Sequence, residues 1–177
     1  SISQKVLTEA HCSVRVARGR GEVDPAPIRV LVAYDAPGGA DAAIDAILER
    51  EWPTETTFRI VVAADPFVPA TIGRFFPPAP GRVSDGSREE NDWIQTAGEK
   101  ARARLCERGW SATFEVIEGN PNSVLTKEAE GWNADCIFLG ANAYGSRLER
   151  FLLGSTSGAV AARAHCSVEV VRRQLPK

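Results

Sequence analysis

Short runs of branched and aromatic residues alternate along this chain with stretches whose apolar positions recur every three or four residues. The runs are Ile28 to Tyr34 (IRVLVAY), Phe58 to Ala64 (FRIVVAA), Thr113 to Ile117 (TFEVI), Cys136 to Gly140 (CIFLG) and Val168 to Val171 (VEVV). Their length and β-branched content predict five core strands. Helices are expected between them, near Ala40 to Arg50, Ser87 to Arg108, Asn122 to Trp132 and Ser155 to Ala164. In the second of these, Trp93, Ala97, Ala101 and Leu105 draw one apolar face. Pro121 suits a first helical turn, where its missing N–H costs nothing. Strands separated by helices imply a doubly wound α/β domain, with parallel pairing, right-handed crossovers and helices on both faces of the sheet.

A second pattern overlies the first. Residues 1–18 read SISQKVLTEAHCSVRVAR and residues 155–172 read STSGAVAARAHCSVEVVR, with ten of eighteen positions identical. Similarity at one fixed offset, about the size of a domain, implies a tandem duplication. Residues 1–18 are then expected to be the helix and last strand of a preceding copy, and residues 19–27 (GRGEVDPAP) a hinge-like linker. From Asp65 to Gly86 the chain carries five prolines and little periodicity, which predicts a long loop. Such a loop serves as a lid or is pinned by Phe67, Phe75 and Phe76; the aromatic anchors favour pinning.

Composition narrows the function. With 44% hydrophobic and 25% charged residues over 177 positions, the chain can bury one good core. A net charge of −2 without a basic stripe argues against nucleic acid as a partner. No apolar run of about 18 residues could span a bilayer, and no leader-like segment opens the sequence, so no membrane is expected and the reading is cytoplasmic. Cys12, Cys106, Cys136 and Cys166 form no CxxC pair and read as reduced, mostly buried thiols. His11 and His165 each precede a repeated cysteine, but neighbouring residues of an extended segment point to opposite faces, and no metal site is expected.

Chemistry in an open parallel sheet lies beyond the carboxyl ends of the strands, where chain connections diverge. Two segments reach that place: Ala33 to Gly39, carrying Asp35, and Gly140 to Ser157, carrying Gly145, Gly154, Ser155 and Thr156. Glycines allow close backbone approach, and Gly154-Ser155-Thr156 opening a helix offers free N–H groups to an anion. The same residues also serve as ordinary strand ends and helix caps. Asp35-Ala-Pro-Gly-Gly-Ala-Asp41 lacks the serines of a pyrophosphatase loop, no Walker lysine follows the glycines, and both histidines lie beside the terminal segments, away from any Ser-His-Asp arrangement. The chain reads as a binding module and not as an enzyme.

VAYD after the first strand, EGNPNSVLTKEAEGWNADCIFLGA, and SRLERFLLGSTSGAVAARAHCSVEVVR resemble the universal stress protein family across residues 28–172. The resemblance assigns residues 28–173 to one such domain. It implies an adenine nucleotide alpha hydrolase-like, Rossmann-like sheet of five parallel strands in the order 3-2-1-4-5. It also implies a homodimer or a tandem-domain partner joined through the last strand. In one branch of the family, ATP is held by a G-x2-G-x9-G-[ST] motif. Carried over, Gly140 is the first glycine, near the ribose, Gly154-Ser155 the last pair, Thr156 a further phosphate contact, and Asp35 an adenosine contact. Ala33 and Ala63 complete the cofactor-binding set. The second glycine is replaced: Ala143 stands there, ten residues separate it from Gly154, and Gly145 is the substitute at a shifted spacing. The cofactor so implied is ATP or another adenine nucleotide, with Mg beside it. A nucleotide-binding stress-response module and a nucleotide-free dimerisation module both remain open. In either, Ser13 to Ala17, the counterpart of Ser167 to Val171, is expected to lie antiparallel along the last strand.

Overall fold

A computed structural model describes residues 2–18, 27–34, 39–64, 86–141 and 155–172. In chain order these form α1 (Ile2–Glu9), β1 (Val14–Val16), β2 (Arg29–Ala33), α2 (Gly39–Leu48), β3 (Thr57–Ala64), α3 (Gly86–Cys106), β4 (Ser111–Glu118), α4 (Pro121–Gly131), β5 (Cys136–Gly140), α5 (Ser155–Arg163) and β6 (Ser167–Val171). The linker at 19–26 and the proline-rich stretch at 65–85 lie outside the described residues.

One six-stranded sheet runs in the order β1-β6-β5-β2-β3-β4. Its five inner-domain strands, counted in chain order, follow 3-2-1-4-5 and pair in parallel. The sixth, β1, is antiparallel to β6 and makes the sheet mixed. The predicted strands all form, with ends shifted by a residue or two; β4 is longer than its apolar run because an edge strand carries polar residues outward, as its alternating exposure shows.

Successive residues of a strand face opposite sides, and here both sides are covered, so the central strands carry apolar residues on both faces, interrupted by Arg59 of β3 and Glu169 of β6. Leu31, Val61, Ile137, Leu139, Val168 and Val170 bury against α4, α5 and Leu7 of α1. Val30, Val32, Phe58, Ile60 and Phe138 bury against Ile44 and Ile47 of α2 and Ala101 and Leu105 of α3. On α3 the inward face is Ile94, Ala97, Ala101 and Leu105. Trp93, read from the sequence as part of this face, lines a cavity together with Ala97 and Ala101, beside Tyr34 and Lys100. Gly98 completes that inward side: a Cβ there would lie 2.2 Å from the Phe114 ring, so the glycine lets α3 and β4 approach. Pro121 opens α4 behind the cap Asn120, whose side chain accepts from the Asn122 N–H at 3.1 Å.

The β1–β6 seam brings the two similar segments side by side. The register is Val14↔Val170, Arg15↔Glu169 and Val16↔Val168, so the equivalent residues Arg15 and Glu169 face each other on a local twofold axis. Around it, interactions come in matched pairs. Ser13 Oγ accepts from the Arg172 N–H at 3.0 Å, and Ser167 Oγ accepts from the Arg18 N–H at 3.0 Å. The Arg18 guanidinium donates to the Ala161 carbonyl at 2.7 Å, while that of Arg172 donates to the equivalent Leu7 carbonyl. Both carbonyls belong to last helical turns, whose C=O groups lack partners within the helix. The outward environments differ. Val160 of α5 is fully buried under the sheet, whereas its counterpart Val6 on α1 is 47% exposed, and Cys12 is exposed where Cys166 is buried. All four cysteines are free thiols, but Cys12 and Cys106 are exposed, which corrects the expectation that most are buried.

Candidate functional site

The connections diverge at β2, which has β3 on one side and β5 on the other. Ala33 ends β2 opposite Val61 and Leu139, and the next amide, Tyr34 N–H, donates to the Val61 carbonyl at 2.9 Å. Gly140 ends β5 opposite Val171, and Ala141 N–H donates to the Val171 carbonyl at 2.7 Å. Ala63 lies at the same end of β3. Three of the residues picked from the sequence, Ala33, Ala63 and Gly140, are thus brought to one rim, and none carries more than a methyl group above the backbone. The parallel β5–β6 crossover returns α5 against the strand direction, so its first turn, with Ser155, Thr156 and the buried Ser157, opens at this rim. Its leading N–H groups and the positive end of the helix dipole face the same way. Asp35, Gly145 and Gly154, with Ala143, lie outside the described residues.

A small-walled rim beside a helix N-terminus fits the requirements of a nucleotide: backbone can approach, and peptide N–H groups are available for an anion. A neighbouring cavity of about 500 Å³ opens on the α2–α3 side, lined by Tyr34, Asp41, Trp93, Lys100 and Arg104. The buried Tyr34 hydroxyl donates to Asp41 Oδ1 at 3.3 Å, and Arg104 bridges to Asp45 at 2.6 Å. Among the described residues, no group of three His, Cys, Asp or Glu side chains is placed to hold a metal ion.

The second built site is the seam. Glu169, 3% exposed, accepts from Arg15 Nε and Arg50 Nη1, both at 2.8 Å, and from Arg50 Nη2. The two guanidinium groups lie over the Phe138 ring, 5.8 Å and 5.2 Å from its centroid. Burial pushes the Glu169 carboxyl up, but the hydrogen bonds and charges of Arg50 and Arg15 outweigh it and hold the group below its ordinary value. The carboxylate in turn raises the Arg50 guanidinium. Burial lowers Arg172 and pushes the nearby Cys136 thiol up to about 12. An open cavity of about 610 Å³ borders the cluster, between Ser13 and Arg15 on the tail and Arg50 and Trp52 on the domain. The charged cluster went unread in the sequence. Half of its signal was there: in the aligned segments SVRVAR and SVEVVR, arginine stands where glutamate stands. Arg50 comes from a distant helix end and left no such mark.

Comparisons with known proteins agree with this fold. The universal stress protein family profile matches residues 28–172. A universal stress protein of Methanocaldococcus jannaschii is 32% identical over 143 residues, covering 76% of this chain and 78% of that protein. Among solved structures, a universal stress protein from Archaeoglobus fulgidus superimposes with a TM-score of 0.63 at 22% identity, covering 98% of this chain; the chain spans about half, 54%, of that protein's length. A universal stress protein family protein from Arabidopsis thaliana, solved with AMP bound, gives a TM-score of 0.54 at 18% identity over 84% of this chain and 93% of its own. No helix among the described residues is long and apolar enough to cross a membrane.

Proposed function

This chain belongs to the universal stress protein family, and we propose that it is a regulatory module that binds an adenine nucleotide at the β2–β5 rim. The observation that carries this reading is the meeting of Ala33, Ala63 and Gly140 with the first turn of α5. Small side chains leave the strand ends open to a ribose. The α5 amides and the Thr156 hydroxyl receive phosphate oxygens, and Asp35 and Gly154, carried over from the family motif, complete the cradle. The AMP bound in the Arabidopsis thaliana protein supports the ligand class. In this reading the nucleotide acts as a signal: by binding the folded state it raises domain stability and shifts domain pairing.

Titration calorimetry with ATP and AMP tests the proposal. Binding by the parent protein, abolished in Gly154→Val with the circular dichroism spectrum unchanged, is the expected result. Silence across millimolar nucleotide, or full binding by Gly154→Val, refutes it. The second reading is a nucleotide-free pairing module, favoured by the replaced motif glycine at Ala143 and by the specific construction of the β1–β6 seam. It predicts silence in the same titration.

A further inference from the structure

The twofold relation at the seam makes its departure from symmetry on the axis informative. The flanking partners correspond: valine meets valine, each serine accepts from the opposite arginine amide, and each arginine side chain reaches the opposite helix end. Between the strand segments SVRVAR and SVEVVR the charge differs only on the axis, Arg15 against Glu169. Residues on an axis meet their own equivalents when a strand pairs with a second copy of itself. Were β6 to pair with β6 of another molecule in this register, Glu169 would face Glu169, with Cβ atoms about 5 Å apart. Each carboxylate would keep its own Arg50, and the second copy would bring its Arg50 as well, but each would lose the Arg15 Nε donor at 2.8 Å and meet a buried anion where that donor stood. Like charges placed opposite each other in a desolvated contact are strongly unfavourable.

We propose that Glu169 makes this edge a heterotypic docking surface. It accepts a strand that carries a cation on the axis, a serine two residues before it and an arginine three residues after it. The segment Ser13–Arg18 has that pattern, and a second copy of β6 does not. The edge therefore selects the tail and rejects self-pairing, by the same inward-charge device that keeps sheet edges from joining indiscriminately. This selection is independent of whether a nucleotide binds at the rim.

The test uses the full chain and reads amide hydrogen exchange of residues 14–16 and 168–170, with β2 amides as the internal measure of an intact fold. Arg15→Glu builds the self-pairing charge arrangement inside one molecule; Arg15→Gln removes the cation without adding an anion. Exchange at the seam should rise modestly in Arg15→Gln and about tenfold or more beyond that in Arg15→Glu. Adding Glu169→Gln to Arg15→Glu should bring it back to the Arg15→Gln level or below. In sedimentation, Arg15→Glu, with its edge freed, should keep the mass of the parent. Equal exchange in Arg15→Gln and Arg15→Glu would overturn the proposal. So would an Arg15→Glu protein of doubled mass whose residues 168–170 are protected again.

Discussion

Replacing Arg50 by methionine keeps a flexible stem over Phe138 but removes two of the three hydrogen bonds that Glu169 accepts. The carboxylate is almost fully buried and cannot turn to water, so it is left with Arg15 alone. Leaving a buried acceptor unpaired costs about 1–3 kcal/mol, more for a charged group, and the lost cation–π contact adds about 0.5–1 kcal/mol. Breaking a buried ion pair outright costs about 3–5 kcal/mol. Because Arg15 remains, and because Arg50 is itself 38% exposed, the expected loss is at the lower end, about 2–3 kcal/mol. For a chain of this size that lowers Tm by about 5–10 °C. Thermal unfolding at pH 7 measures it. The companion variant Arg50→Met with Glu169→Met should recover most of the loss, since replacing both charges by apolar side chains removes the desolvation penalty. If Arg50→Met melts within a degree of the parent, or the double variant melts lower than either single one, the cluster does not support the fold in the way its geometry indicates.

Three further outcomes are expected. The folded-state value of Glu169 is depressed, so its contribution is fully present above the unfolded carboxylate value of about 4.3 and is lost as pH falls through the lower folded value; seam amide protection, corrected for intrinsic exchange, should hold from pH 7 to 5 and fall below about pH 4. A maleimide or iodoacetamide at pH 8 should label the exposed Cys12 and Cys106 and spare Cys136, whose thiol is buried and pushed up to about 12, until denaturant is added; rapid labelling of native Cys136 by mass spectrometry would contradict its burial. Gly98→Ala should destabilise by about 1–3 kcal/mol through its collision with Phe114, against a helix-propensity gain of about 1 kcal/mol, and Phe114→Leu should rescue it in a urea melt.

The fold was largely legible because each signal was local and redundant. A run such as IRVLVAY cannot be buried on both faces except as a central strand, and the 154-residue offset between Arg15 and Glu169 placed β1 beside β6 before any coordinate did so. Trp93 does lie with Ala97 and Ala101, but helical periodicity marks a face and not what covers it: toward the start of α3 that face borders a cavity. The rim was readable in part: Gly140 closes a predicted strand, while Ala33 and Ala63 came in as binding residues only through the family resemblance. The Arg50–Glu169 pair was not, since it joins a helix terminus to a strand 119 residues away and no spacing rule connects them.

The seam also fixes an order of events. Arg15 finds its partner only after 154 further residues have been made, and at about 5–20 residues per second that is a wait of roughly 8–30 seconds on the ribosome. Through that interval the tail lacks its own partner edge, because β6 is the last of the described strands to be made. Closing the seam is therefore a late, long-range step with a large loop to close. A charge that discourages the wrong strand acts at the moment when nascent chains on one messenger are crowded together and every β6 emerges beside another.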